Sequence, residues 1–162
     1  MVVKTKNALT SRLDLGYLSL FLGLRVNQLV MAKMRAAGFR HVRESYGYLI
    51  QHLIECDRTV TQLARRMEVT QQAASKSVAQ LVKLKMLEIV PGPDRREKRV
   101  RLSARGWSLI RLGRQARRNI EQRLIRATGR NQYSQASSVL TACLHALGGV
   151  QRVRSRRVLP PS

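Results

Sequence analysis

Aromatic residues are scarce in this sequence, which has only four tyrosines, two phenylalanines and one tryptophan among 162 residues. Proteins that bind single-stranded nucleic acid stack the bases on aromatic platforms, so a partner of that kind is disfavoured. Cysteine is also scarce, and Cys56 and Cys143 form no CxxC pair. This excludes a disulfide framework and favours a cytoplasmic protein in which both cysteines serve as apolar packing residues.

Catalytic motifs are missing as well. The sequence contains no GxSxG, GxxxxGK, GxGxxG or HExxH motif, and its nine acidic residues are spread along the chain. The three histidines, His41, His52 and His145, are far apart and have no carboxylate at ligand spacing. We therefore predict no enzyme, no metal site and no cofactor.

Acidic residues are outnumbered by basic ones, 9 against 31, which gives a formal net charge of +22. Of the basic residues 24 are arginine, whose planar guanidinium suits paired hydrogen bonds to phosphate or guanine. Double-stranded DNA is therefore the predicted partner. An anionic membrane surface is the alternative. The uncharged segment from Leu15 to Leu24 resembles a signal peptide only weakly, because the apolar periodicity continues past Arg25.

Apolar residues at helical spacing predict three long amphipathic helices, one near the start of the chain and two after residue 103. Their apolar stripes exceed what a small middle segment can cover, so we expect a homodimer. The chain then divides into a flexible basic N-terminus (1–11), a helical dimerisation region (12–38 and 104–147), a DNA-binding region (39–103) and a basic, disordered tail (148–162).

Residues 39–103 hold shorter elements. A helix ending near Asp57 is followed by two helices that Thr61 and Thr70 can cap, joined by a turn at residues 68–70. Alternating residues on both sides of the turn at residues 91–94 then predict a β-hairpin. This order is typical of a winged helix-turn-helix, in which the second helix enters the major groove and the hairpin forms the wing. The predicted fold class is mainly α with a small β-hairpin wing.

The segment from Thr59 to Gly106 closely resembles the DNA-binding core of the MarR family of bacterial transcription regulators. The strongest matches are the pair Leu63-Ala64, the run VRLSARG, and the hairpin residues Pro91, Pro93, Asp94, Arg95 and Arg96. With its long flanking helices, the resemblance covers about residues 12–147. It implies a dimer with two winged lobes that binds pseudo-palindromic promoter DNA, usually as a repressor. Glu68 and Lys85 depart from the family pattern, since glycine is common at both positions, and Ser77 stands at a position that is usually apolar.

The candidate DNA contacts fall into three groups. The recognition helix would present Thr70, Gln71, Gln72, Ser75 and Lys76, the wing Asp94, Arg95, Arg96 and Lys98, and the helix before the turn would add phosphate contacts from Arg65 and Arg66. We expect Asp94 to orient one of the wing arginines. An ordinary solvated surface is the alternative for these residues, and a low-specificity architectural DNA-binding protein is the alternative function.

Many MarR-family proteins respond to small aromatic acids held between the dimer helices and the winged lobe. The resemblance therefore implies a small aromatic or anionic effector. The candidate residues of such a crevice are Arg25, Tyr46, Tyr48 and His52, with a place in the core or at its rim as the other interpretation.

Overall fold

The computed structural model describes residues 13–94 and 97–149, which form helices around one two-stranded antiparallel sheet. The elements in chain order are α1 (Leu15–Ala36), α2 (Glu44–Gln51), α3 (Val60–Met67), α4 (Gln71–Lys83), β1 (Leu87–Pro91), β2 (Lys98–Leu102), α5 (Ala104–Thr128) and α6 (Arg130–Ala146). The predicted fold class, mainly α with a small β-hairpin, is confirmed. The predicted basic N-terminus, the tail beyond residue 149 and the wing residues Arg95 and Arg96 lie outside the described residues.

The hydrophobic core lies inside the winged lobe, by which we mean residues 39–103 together with the start of α5. Its most deeply buried side chains are Leu49, Leu63, Leu81, Met86, Leu87 and Val100, so α2, α3, α4 and both strands contribute. Helix α5 begins against this core. A Cβ atom on Gly106 would lie 2.3 Å from the carbonyl oxygen of Met86, so only glycine lets α5 approach the start of the sheet this closely.

Several helices end on a residue in the left-handed conformation. After α1 this residue is Gly38 (φ 88°), whereas after α3 and α4 it is Glu68 (φ 55°) and Lys85 (φ 58°). At the end of α4, the amide of Lys85 donates to the carbonyl of Val82 at 2.8 Å, and the amide of Met86 donates to that of Leu81 at 2.9 Å. This is the hydrogen-bond pattern of a Schellman motif, which explains why glycine would be favoured at positions 68 and 85.

Helix α2 is shorter than the sequence predicts, because it ends at Gln51 rather than near Asp57. The chain then turns, and Arg58 forms an isolated antiparallel bridge with Val100 of β2. The amide of Arg58 donates to the carbonyl of Val100 at 3.1 Å, and the reverse bond measures 2.8 Å. The loop also exposes Cys56, so the predicted burial of this cysteine is wrong, whereas Cys143 is half-buried on α6.

Helix α1 joins the rest of the fold through its C-terminal half, where Val30 and Met31 are buried. It crosses α5 closely, since a Cβ atom on Gly113 would lie 2.8 Å from the Cε atom of Met34. Its N-terminal half is apolar and exposed, and Tyr17 and Phe21 stack there with ring centroids 6.3 Å apart. Among the described residues, α1 alone forms a helix long and apolar enough to cross a membrane by length and composition.

Candidate nucleic-acid interface

Helices α3 and α4 form the predicted helix-turn-helix, and a threonine caps each of them. Thr59, rather than the predicted Thr61, caps α3: its hydroxyl accepts from the amide of Gln62 at 3.1 Å, while the Gln62 side chain accepts from the amide of Thr59 at 3.0 Å. Thr70 caps α4 by accepting from the amide of Ala73 at 3.2 Å. These caps set where both helices start, and the left-handed Glu68 ends α3 at the turn before α4.

Helix α4 has one buried and one exposed face. Its buried face carries Ala74, Val78 and Leu81. The predicted contact residues all lie on the exposed face: Thr70, Gln71, Gln72, Ser75 and Lys76. Amide, hydroxyl and ammonium groups at one-turn spacing can reach base edges and phosphates in a major groove. Ser77 lies half-buried between the two faces, and its hydroxyl donates to the carbonyl of Ala73 at 3.0 Å, which accounts for a polar side chain at this position.

A side-chain hydrogen bond that sequence reasoning missed ties α4 to α2. The hydroxyl of Tyr46 donates to Oε1 of Gln80 at 2.9 Å, and Tyr46 itself is 7% exposed. Tyr46 lies at helical spacing from Leu49, Ile50 and Leu53, which are buried. This spacing in the sequence indicates that Tyr46 lies on the buried face of α2. The bond fixes the second half of the recognition helix against the lobe.

The wing is the hairpin of β1 and β2, in which Leu87 pairs with Leu102 and Pro91 with Lys98. At its tip the amide of Gly92 donates to the carbonyl of Glu97 at 2.7 Å, and the amide of Glu97 donates to that of Asp94 at 2.8 Å. These two bonds bring the end of β1 and the start of β2 together. Lys98 and Asp94 are both exposed at this tip.

Two arginines of β2 are held by acids of the hairpin itself. Arg99 pairs with Glu97, and Arg101 pairs with Glu88 directly across the strands, with N to O distances of 3.1 Å. Sequence reasoning missed both pairs, although the alternation of charges in the two strands could have suggested the second one. The predicted pairing of Asp94 with a wing arginine stays a prediction, since Arg95 and Arg96 lie outside the described residues.

Arg65 and Arg66 occupy the last turn of α3, and both are exposed. They lie just before the turn that leads into α4, so a duplex seated on α4 would bring its backbone towards this end of α3. Their role as phosphate contacts remains a prediction.

The structure does not gather the four predicted crevice residues around one cavity. A cavity of about 180 Å³ does lie between α1, α2 and α5, lined among others by Met31, Met34, Arg43, Gly47, Arg114 and Arg117. Neither Arg25 nor Tyr46, Tyr48 or His52 lines it. Tyr46 is buried and bound to Gln80, as in the alternative interpretation of a core residue, and the role of the four residues in effector binding stays a prediction. Within the described ranges, no three His, Cys, Asp or Glu side chains cluster in a way that could hold a metal ion.

The winged lobe is similar in sequence to a known protein family. Residues 48–97, which run from α2 to the wing tip, match the family model of the MarR family. No curated protein matches the chain.

Solved structures extend the likeness to the long helices. YusO from Bacillus subtilis superposes with a TM-score of 0.68 at 20% identity, covering 88% of this chain and 99% of that chain. MepR, a transcription regulator of the Staphylococcus aureus multidrug efflux pump MepA, superposes with a TM-score of 0.67 at 18% identity, covering 83% and 99%. A mutant of MepR bound to an oligodeoxyribonucleotide gives a TM-score of 0.60 at 20% identity, covering 84% and 99%. At these identities the likeness is one of fold.

Proposed function

We propose that this chain, a DNA-binding transcription regulator that carries the MarR-family winged helix-turn-helix, acts in the cytoplasm as a homodimeric repressor on a pseudo-palindromic operator. The observation that carries the proposal is the capped helix α4, which offers a polar, exposed face beside a basic hairpin. Each lobe would place α4 in a major groove, and the two grooves would be about 34 Å apart along the duplex. A dimer in this position would cover promoter DNA that the polymerase needs.

Electrostatics support duplex DNA as the partner. The net charge of +22 provides long-range attraction to a polyanion, and the exposed Arg65 and Arg66 at the end of α3 add positive charge beside the recognition helix. Base contacts from Gln71, Gln72 and Lys76 would add sequence preference to this general attraction. We expect tight binding with a steep dependence on salt.

Exposed apolar surface on the long helices supports the homodimer. In α1, Tyr17, Leu20 and Phe21 are each more than half exposed, and Leu147, just after α6, is 85% exposed. A monomer rarely leaves this much apolar surface in water, and a second copy is the partner that the chain itself supplies. The C-terminal half of α1 packs on α5, so α1 is a part of the folded protein, and a membrane-spanning role for it is the less favoured interpretation.

The proposal includes release of the protein from its operator by a small ligand. Three arginines, one acid and two methionines line the cavity between α1, α2 and α5, and this excess of positive charge beside apolar side chains suits an aromatic or anionic molecule: Arg43, Arg114, Arg117, Glu44, Met31 and Met34. This cavity lies between the long helices and the winged lobe. A ligand that fits only one spacing of the two lobes would shift the dimer towards that spacing.

Selection of duplex DNA from a random pool at near-physiological salt tests the function. We expect a two-fold symmetric motif, bound at least about 10³-fold more tightly than a scrambled duplex. Tight binding without a motif, lost as salt rises, would favour the architectural protein instead.

A pair of matched variants tests the role of α4. Gln72→Ala should reduce the preference for the selected motif by about 1–3 kcal/mol while leaving non-specific affinity almost unchanged. Gln122→Ala removes the same side chain from the exposed surface of α5 and should change neither quantity. Equal effects of the two substitutions would contradict direct base contact by Gln72.

A further inference from the structure

A second concave surface lies at the junction of the loop after α1, the start of α2 and the last turn of α4. It is a shallow, open hollow of about 380 Å³, and its lining includes Arg40, His41, Arg43 and Lys83. None of the described residues that line it is acidic. We call this surface the basic pocket.

The floor of the basic pocket is fixed by packing. Val42 and Tyr46 are both buried, and the hydroxyl of Tyr46 is held by Gln80, which also lines the pocket. The cationic side chains come from two separate segments, namely residues 40–43, which lead into α2, and the last turn of α4. Their convergence therefore results from the tertiary fold and differs from the spread of arginines along a single solvated helix.

Charge in the basic pocket is uncompensated. The hairpin arginines Arg99 and Arg101 are paired with acids, whereas Arg40, Arg43 and Lys83 form no ion pair within the described part of the chain. Like charges held around one concavity repel each other, and an anion that enters it relieves this repulsion. Guanidinium and ammonium groups together suit the oxygens of a phosphate group.

We propose that the basic pocket is a phosphate-binding site, filled by a backbone phosphate of the DNA duplex that α4 reads. Lys83 follows Lys76 by seven residues, so the two ammonium groups lie on the same face of α4, two turns apart. The pocket thus continues the exposed face of the recognition helix towards the flank of the groove. This source of the phosphate depends on the proposed DNA-binding function, whereas a free phosphate ester would use the same chemistry without it.

Salt dependence of DNA affinity tests the DNA source. The double variant Arg40→Ala/Lys83→Ala changes two exposed side chains, and its fold can be verified by circular dichroism. The slope of log K against log salt should fall by about 1 for each phosphate contact that is lost. Affinity should fall about tenfold or more, and equally for operator and scrambled duplexes. The control variant Arg123→Ala/Arg126→Ala removes the same charge from α5, outside the pocket, and should leave the slope unchanged.

Calorimetric titration with inorganic pyrophosphate, in the absence of DNA, tests the site independently of the proposed function. We expect the unmodified chain and the α5 control to bind pyrophosphate, and the pocket variant to bind it at least tenfold more weakly. A loss of pyrophosphate binding with an unchanged salt slope would keep the phosphate site and assign it to a free ester. If the pocket variant matches the α5 control in both measurements, the proposal is overturned. An absence of any specific DNA binding would refute the proposed function alone.

Discussion

Replacing Lys85 with glycine should make the protein more stable. Lys85 holds φ at 58° as the left-handed residue of the motif that ends α4, and its side chain is exposed. A side chain in this conformation costs about 1–2 kcal/mol, which glycine avoids. Glycine in turn gives up about 0.5–1 kcal/mol more backbone entropy on folding. The balance predicts a gain of about 0.5–1 kcal/mol in the free energy of unfolding.

The hydrogen bonds around residue 85 do not change the predicted gain in stability. The backbone bonds from Lys85 to Val82 and from Met86 to Leu81 do not involve the side chain, and neither does the bond from the Ser103 hydroxyl to the carbonyl of Lys85, at 2.7 Å. All three survive the substitution. The packing of Met86 and Leu81 in the core, which accompanies the motif, is unchanged as well.

Urea unfolding followed by circular dichroism, at one fixed protein concentration, measures the effect. In thermal unfolding of the same variant, the midpoint for a chain of this size should rise by roughly 1–4 °C. Lys33→Gly, in the right-handed last turn of α1, is the matched control and should lose about 0.5–1 kcal/mol. Gly38→Ala is the converse change: a Cβ atom there meets nothing within 4 Å, so its expected net loss of about 0.5–1 kcal/mol is conformational. A loss of stability in Lys85→Gly as large as that in Lys33→Gly would refute the reasoning.

Three further predictions concern the wing, the dimer and the core. Arg96→Ala should weaken binding to the selected operator by about 1–3 kcal/mol in a titration, and an unchanged affinity would remove Arg96 from the interface. Phe21→Ala should raise the dimer dissociation constant roughly 100-fold in sedimentation equilibrium, because each of the two copies would lose about 1.5 kcal/mol or more of apolar burial; an unchanged constant would place the dimer contact elsewhere. Gly106→Ala should cost about 1–3 kcal/mol in urea unfolding through its clash with the Met86 carbonyl, whereas Gly47→Ala, in a helix with open space around it, should gain about 0.5–1 kcal/mol. Equal stability of these two variants would contradict the close approach of α5 to the sheet.

Local sequence signals were sufficient for most of the fold. Helical periodicity predicted the long helices, and Ser103 was correctly identified as the residue that starts α5, where its hydroxyl accepts from the amide of Gly106 at 3.0 Å. Thr70 likewise starts α4 as predicted. Such signals act within a few residues, so they are visible in the sequence without knowledge of the tertiary fold.

Tertiary contacts account for the predictions that were wrong. The end of α2 was placed near Asp57 because Leu53 and Ile54 continue the apolar pattern, but Arg58 pairs with Val100, 42 residues further along, and draws this segment out of the helix. The four effector residues stay a prediction, which rests on residue type, aromatic or basic, and not on helix face. The lining of the cavity between α1, α2 and α5 includes Gly47 and Met34, small or flexible side chains that sequence reasoning does not single out.

The bridge between Arg58 and Val100 has a mechanical consequence. Arg58 immediately precedes the cap of α3, and its Nε atom also donates to the carbonyl of His52 at 2.7 Å. Its two backbone bonds to β2 therefore join the base of the wing to the first helix of the helix-turn-helix. The wing therefore cannot rotate about its base without breaking these two hydrogen bonds. Any adjustment of the wing to the width of a groove therefore has to move α3 together with the wing.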